Sequence, residues 1–395
     1  MGDRDAVIVS AVRTIAGRFG GSLSSLTTAD LGAAVVKEVV KRAGISGEEV
    51  DQLIFGCGWQ AGIGPNIARI CAVRGGLPVK VPAYTVNIRC ASSLQAVIEA
   101  CRQIYCGDAD VVIAGGTESG SNVPYIIPQA RWGARMWDFT VYDDLHLDGF
   151  MCKLAGMLMG STAENLVEKY SISREEQDQF ALESHQKASK AVAEGKFDAE
   201  ILPIEVKQKK GTVVVNKEEI PRPDASLEAM LKLPPVFKKD GTVTAGNSCA
   251  LSDCASAVVI MSAEKAKSLG LKPMAKIRSY AAAGVDPLYM GIGPVAATPI
   301  ALKKAGLTLD DIDLIELNEA FAAQYLACER EMKLNREKVN VHGGAIALGH
   351  PVGATGTKLI CTNINTLKMY DKTFGLVTAC VGGGQGLAIV LERLN

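Results

Sequence analysis

The 395-residue chain predicts a layered α/β protein with a duplicated core. Three observations carry this expectation. Short apolar runs alternate with stretches of helical period towards both ends of the chain. The order of elements around Val86-Asn87-Ile88 repeats around Val339-Asn340-Val341: each is followed by a helix and then a strand leading to a glycine run, Gly115-Gly116 in one case and Gly382-Gly383 in the other. Between them, from about Ser119 to Val243, the alternation breaks. That stretch carries Trp132, Trp137, many charges and the proline-rich segment Pro221–Pro235, as expected of an insertion draped over a core and shaping a ligand site with loops.

The elements follow in order. Ala6–Ser10 reads as a strand, and Thr28–Ala43 as a helix capped by Thr27 or Thr28 and stopped by Gly44. Val50–Gly56 is a strand, Asn66–Arg74 a helix, Ala83–Ile88 a strand and Ser92–Tyr105 a helix. Asp110–Ala114 is a buried strand ending at Gly115-Gly116. Inside the insertion, Ser161-x-x-Glu164 and Ser173-x-x-Glu176 fit the pattern in which a hydroxyl and a carboxylate cap a helix reciprocally, and Arg174–Glu194 is a long polar-faced helix. Alternation then resumes. Ala255–Ser262 and Ala275–Ala283 are strands and Ala296–Ala305 is a helix. Asp313–Leu317 is a strand, Asn318–Glu331 a helix, Lys338–Val341 a strand and Gly353–Met369 a helix; Phe374–Cys380 and Gly386–Glu392 are the last strands. The predicted division is a first half over residues 1–118 with its core continuing at about 246–270, a loop domain over 119–245, and a second half over 271–395.

Composition narrows the function. With 48% hydrophobic and 22% charged residues, the chain can bury large cores and is not disordered. A net charge of −1 gives no footprint for nucleic acid or an anionic membrane, although one local basic cluster could still meet a phosphate. The 11 cysteines are odd in number and form no disulfide framework. Met1–Arg13 holds no apolar segment of the signal-peptide kind, and no uninterrupted apolar stretch reaches about 18 residues. A reduced, cytoplasmic, non-membrane protein is therefore expected. Metal is not expected, because only four histidines occur and the cysteine pairs Cys101/Cys106 and Cys249/Cys254 lack zinc-site spacing.

Four segments bear chemistry. Asn87–Ala96 runs from strand to helix and sets Cys90 at a helix start, where free N–H groups favour a thiolate and an oxyanion. The alternative is an inert packing cysteine. Gly343–Gly353 places His350 among glycines on a turn, where an imidazole can donate to an oxyanion, exchange a proton with a thiol, or simply bond to backbone. Cys380 ends an apolar strand and opens Cys380-Val381-Gly382-Gly383-Gly384-Gln385-Gly386, where a thiolate could take a proton from carbon or lie buried and inert; this glycine run is no nucleotide fingerprint, since no helix follows it. Asn318, after the strand Asp313–Leu317, sits at a strand's carboxyl end, where it could hold a water or a carbonyl, cap the next helix, or do both.

Together, and in this order, these segments resemble the thiolase family over essentially the whole chain. Asn87–Ala96 is similar to its acyl-cysteine motif, Asn318–Ala322 to Asn-Glu-Ala-Phe, Gly343–Gly356 to Gly-Gly-Ala-Ile-Ala-x-Gly-His-Pro-x-Gly-Ala, and Cys380–Gly386 to Cys-x-Gly-Gly-Gly. The resemblance implies two similar αβαβα halves with an inserted loop domain, assembled as a homodimer or homotetramer. It implies ping-pong acyl transfer on CoA thioesters with no permanently bound cofactor. Cys90 would take the acyl group and Cys380 would deprotonate the methyl of acetyl-CoA. His350, with a water held by Asn318, would stabilise the enolate, and the N–H groups of Cys90 and Gly382 would face the acyl carbonyl. Arg222 matches a contact to the nucleotide end, Phe237 and Phe321 contacts along the pantetheine, and Met159 one at the acyl end, with Ser248 on the same path. Two positions depart: Leu158 and Cys249 stand where small-chain members carry histidine and serine. Acetoacetyl-CoA chemistry is favoured, with cleavage of longer 3-ketoacyl-CoA close behind. A carrier-protein-dependent ketoacyl synthase would lack Cys380, and an inactive lipid carrier would have lost one of Cys90, His350 or Cys380.

Overall fold

A computed structural model describes residues 2–209 and 211–395. The first half runs β1 (Ala6–Arg13), α1 (Thr28–Ala43), β2 (Gln52–Gly56), α2 (Ile67–Arg74), β3 (Ala83–Val86), α3 (Ser92–Cys106) and β4 (Val111–Ser119). The inserted segment contributes α4 (Met159–Tyr170) and α5 (Arg174–Ala193), after which β5 (Ser252–Ser262) returns to the sheet. The second half runs β6 (Ala275–Gly284), α6 (Gly293–Ala305), β7 (Leu314–Leu317), α7 (Ala322–Met332), α8 (Thr355–Met369), β8 (Phe374–Val381) and β9 (Gln385–Arg393).

The strands form one ten-stranded sheet in the order β3-β2-β4-β5-β1-β6-β9-β8-β7, with the two-residue strand Gly17–Arg18 attached to β5. In each half, parallel strands lie outside and antiparallel strands inside, although the first half, β3-β2-β4-β5-β1, has one more parallel pairing than the second, β7-β8-β9-β6. Within the sheet the halves pair where Val7 and Ile8 of β1 lie against Lys276 and Ala275 of β6. Alternation along the strands assigns the faces. Val111 and Ile113 pack with α1 and α2, whereas Val112 and Ala114 join a core shared by α3, α8 and strands of both halves. A third core packs α6 and α7 on the far face of the second half. The layers are therefore helix, sheet, helix, sheet, helix, with α3 and α8 in the middle. The link between β4 and β5 is the long inserted segment; the corresponding link between β8 and β9 is the turn Gly382-Gly383-Gly384.

Most expected elements form, and local chemistry explains their ends. Thr27 accepts from the Asp30 N–H while Asp30 accepts from Thr27, and Gly44 closes α1 at φ +69°. Ser173 and Glu176 cap α5 in the same reciprocal way. Four expectations need correction. Ser161 caps nothing: α4 begins at Met159, and Glu164 instead accepts from the N–H groups of Thr242 and Val243, both at 2.8 Å. Gly115-Gly116 does not end a strand, since β4 continues to Ser119; a Cβ on Gly116 would lie 2.0 Å from the Gly353 carbonyl, so glycine there lets the opposite half close in. Asn318 does not cap α7, which starts at Ala322 after Phe321. Residues 320–322 are instead pinned to residues 247–249, through Cys249 N–H to Ala320 O at 3.0 Å and Ala322 N–H to Asn247 O at 2.9 Å. Finally, Lys338–Val341 is no strand beyond a single bridge from Val339 to Ile315. Asn340 turns to φ +45°, and its side chain replaces the backbone ladder, accepting from Leu317 N–H and donating to Leu317 O at 2.9 Å each.

Candidate active site

Cys90 lies in a 3₁₀ turn, Arg89–Ala91, that feeds α3. The turn is tight, with Arg89 at φ +60°. It is closed by Ser92, whose hydroxyl accepts from Ile88 N–H at 3.0 Å and donates to Arg89 O at 2.6 Å. The Arg89 guanidinium covers the Trp59 ring at 4.8 Å and donates to Gly58 O at 2.8 Å. Cys90 is half-buried. Burial raises its pKa above the ordinary thiol value, against the pull of Arg89, of the Gly382 N–H directed at the sulfur and of its own N–H. The expectation of a thiol acidified by the helix start is thus corrected: the acidifying groups are present, but desolvation outweighs them.

Cys380 is the last residue but one of β8 and is fully buried. Burial pushes its pKa well up, and the nearby Cys90, Cys328 and Cys249 add to the effect. His350 donates its backbone N–H to Ala250 O at 2.9 Å, and its Nδ1 meets the Thr355 hydroxyl at 2.7 Å. Burial first, then Lys358 and Arg89, depress its pKa to about 3, so the ring is neutral. Its Nε2 has no protein partner. The Thr355 hydroxyl fixes the ring through Nδ1 and leaves Nε2 as the atom free to accept or donate a proton. Asn318 is completely buried, its backbone N–H bonded to Thr378 O, yet neither Oδ1 nor Nδ2 has a protein partner. Buried amides are almost always satisfied, so a buried one facing no protein partner is suited to hold water or substrate.

The other expected contacts fall into three places. Met159, Phe237 and Phe321 pack in one apolar cluster with Cys380, with Phe237 edge-on to Phe321 at 6.0 Å. Arg222 and Ser248 line a groove of about 320 Å³ together with His185, Ser226, Met230 and Leu233. Met159 and Gly382 also border a smaller hollow of about 190 Å³ with Arg89, Leu147, Met151 and Leu154. Gly382 sits so close to Met159 that a Cβ would lie 2.7 Å from its methyl carbon. Leu158 pairs with Met151 in a short hairpin and lines neither space, and Cys249, its thiol raised to about 12 chiefly by burial, lines neither as well.

Two carboxylates that the sequence reading passed over hold these pieces together. Glu118, at the end of β4, accepts from the N–H groups of Gly58 at 2.7 Å, Gly353 at 2.8 Å and Trp59 at 3.2 Å. It thereby joins the loop beneath Arg89 to the loop that carries His350. Glu319 accepts from Asn340, Ser184 and the Ile346 N–H, and Gly344 leaves it the room to do so. Burial raises the pKa of both, against these donors. The only signal in the sequence was a carboxylate set within or directly after an apolar strand.

Among the described residues no helix is long and apolar enough to cross a membrane, and no three His, Cys, Asp or Glu side chains gather as a metal site.

The chain is similar to known proteins over nearly its whole length. Residues 6–264 match the family model for the thiolase N-terminal domain, and residues 271–393 that for the thiolase C-terminal domain. The chain is 49% identical to the acetyl-CoA acetyltransferase of Syntrophomonas wolfei, over 99% of this chain and 100% of that one. It is also 49% identical to the acetyl-CoA acetyltransferase of Escherichia coli K12, with the same coverage. The crystal structure of the Bacillus anthracis acetyl-CoA acetyltransferase superposes with a TM-score of 0.96 at 46% identity, covering 99% of both chains. With two family models spanning nearly its whole length and the duplicated five-layer fold beneath them, the chain belongs to the thiolase family.

Proposed function

We propose that this acyltransferase condenses two molecules of acetyl-CoA to acetoacetyl-CoA and CoA, or runs the reverse thiolysis, through an acyl-enzyme on Cys90. One observation carries the reading. Cys90 from the first half meets Cys380 and the Gly382 N–H from the second, and His350, also from the second half, shares with Cys90 the field of Arg89. In the first step the Cys90 thiol passes its proton to His350 Nε2 and its sulfur attacks the thioester carbonyl, while CoA leaves as the thiol with the proton of Cys380, which becomes the thiolate. The N–H groups of Cys90 and Gly382 receive the oxyanion. In the second step Cys380 takes a proton from the methyl of a second acetyl-CoA. Burial raises its pKa, and a thiolate of high pKa is the stronger base towards carbon. His350 Nε2–H and a water on Asn318 take the enolate charge, the carbanion attacks the acyl carbonyl, and Cys90 leaves, recovering its proton from His350.

In this reading Arg222 and Ser248 serve the CoA arm, Phe237, Phe321 and Met159 its path to Cys380, and Leu158 and Cys249 the polarity beside it. The division into residues 1–118 with 246–270, 119–245 and 271–395 assigns the CoA site to the loop domain. The similar proteins of Syntrophomonas wolfei and Escherichia coli are named acetyl-CoA acetyltransferases, which favours the short-chain reaction over longer 3-ketoacyl substrates. A cytoplasmic homodimer or homotetramer is part of the proposal. Its support is the inserted segment, where Trp132 and Trp137 are 83% and 88% exposed.

Incubation with acetyl-CoA, read by intact-protein mass spectrometry, tests the assignment. The expected result is one acetyl adduct, lost in Cys90→Ala and kept in Cys380→Ser, which forms no acetoacetyl-CoA. Labelling of Cys90→Ala, or condensation by Cys380→Ser, would remove the assigned roles. A chain-length series of 3-ketoacyl-CoA thioesters tests the substrate, and no turnover of acetoacetyl-CoA would defeat the short-chain reading.

A further inference from the structure

The groove of Arg222 and Ser248 does not stop at Arg222. A second hollow of about 310 Å³ shares Ile220, Arg222 and Ala250 with it and extends to Arg18, Phe19 and Glu219. Two guanidinium groups border this hollow. Elsewhere on the surface Arg4, Arg42 and Arg330 pair with Asp110, Glu38 and Glu176. Among the described residues Arg18 and Arg222 make no ion pair, and their hydrogen bonds run through the backbone, leaving both guanidinium groups unengaged. One carboxylate, Glu219, also borders the hollow and would repel an anion. Its oxygens are already committed to backbone: they accept from Arg18 N–H at 2.7 Å and from Ser22 N–H at 3.1 and 3.3 Å. Glu219 therefore fixes the turn that carries Arg18 and leaves the guanidinium free. On the other side, His185 Nδ1 accepts from Arg222 N–H at 3.2 Å and sets the Pro221–Arg222 segment. Phe19 stands half exposed at the rim.

We infer that this second hollow receives the phosphorylated nucleotide end of the CoA substrate, with Arg18 as a phosphate-binding residue beside Arg222. The inference rests on the proposed function for its ligand. The chemistry supports it in three ways. A guanidinium binds phosphate oxygens by charge-assisted, forked hydrogen bonds. Whole-chain charge is −1, so attraction for a polyanionic substrate end must be local. An exposed aromatic ring beside two arginines offers a face on which a base can stack.

The test compares wild type with Arg18→Gln and Arg18→Lys on acetyl-CoA and on S-acetylpantetheine, which lacks the nucleotide and its phosphates. CoA and pantetheine binding are measured in parallel by titration calorimetry. Arg18→Gln is expected to raise the KM for acetyl-CoA and the Kd for CoA about 5- to 20-fold, the loss of one charged hydrogen-bonding partner. The kcat should stay within about twofold. Values for the pantetheine compounds should stay unchanged, and Arg18→Lys should recover part of the loss. Equal effects on the nucleotide-bearing and truncated ligands, or no effect on either, would overturn the inference. A wild-type protein that binds CoA but does not turn over acetyl-CoA would count against the proposed function alone, because the binding arm still reads Arg18.

Discussion

Replacing Asn318 by leucine should make the protein more stable and far less active. Asn318 is completely buried, and both polar atoms of its side chain lack a protein partner. A buried amide in that position costs the fold about 1–3 kcal/mol relative to a satisfied one, with any bound water returning part of it. Leucine is close in size and asks for no partner. The expected gain is therefore about 1–2 kcal/mol in unfolding free energy, seen as a Tm higher by about 1–3 °C in a chain of this length. Catalysis should move the other way. If Asn318 holds the water that meets the enolate, removing it costs one donor to a developing oxyanion, typically about 10²–10³ in rate. The two half-reactions separate the effects. Acetylation of Cys90, followed by release of CoA in a burst, should survive in Asn318→Leu, while condensation and thiolysis fall. Scanning fluorimetry reads the stability. A variant that loses several degrees of Tm yet condenses at the wild-type rate would show that Asn318 is structural, and the reasoning would fail.

Two further outcomes follow from the buried titratable groups. Native His350 titrates at about 3, whereas an unfolded histidine titrates near 6.5. Below about pH 6.5 the unfolded chain takes up a proton that the native state refuses, so this residue favours unfolding by about 1.4 kcal/mol for each unit of acidification until the native pKa is reached. The stability difference between wild type and His350→Asn, measured by urea titration, should shift by about 2 kcal/mol in favour of the variant between pH 7 and pH 5; an unchanged difference would refute the neutral buried imidazole. Glu118→Leu strands the N–H groups of Gly58, Trp59 and Gly353, at about 1–3 kcal/mol each. It should lower Tm markedly and slow acetylation of Cys90, with Glu118→Gln, which keeps one acceptor oxygen, closer to wild type; equal stability of the leucine variant and wild type would contradict the role.

How much of this was legible depended on range along the chain. The ends of α1 and α5 were readable because a cap is a contact three residues long. The strands were readable because apolar runs flanked by turns are local too. Expectations failed where a partner distant in sequence overrode a local preference. Ser161 and Glu164 have the spacing of a cap, but Glu164 is taken by Thr242 and Val243. Asn318 has the composition of a cap, but the segment after it is held extended against residues 247–249. Lys338–Val341 has strand composition, but the Asn340 side chain makes the bonds that a strand's backbone would make.

The same distinction explains why the reactive residues were visible and their supports were not. Cys90, His350 and Cys380 each announced themselves by a turn in which glycine or a helix start exposes backbone N–H groups. Such turns are hard to bury, because their N–H groups have lost the regular partners of helix and sheet. Bringing turns from both halves into one dry site therefore requires acceptors supplied from elsewhere, and a carboxylate is the acceptor with the most capacity. Glu118 satisfies N–H groups from Gly58 and Trp59 in the first half and from Gly353 in the second. Glu319 does the equivalent for the segment leading to His350, through Ile346 and Ser184. A lone carboxylate in an apolar strand reads as a misfit when only its neighbours in sequence are considered. In the folded chain its desolvation is offset by N–H groups that would otherwise be stranded. The site is thus built as much by two buried acceptors as by the nucleophile they surround.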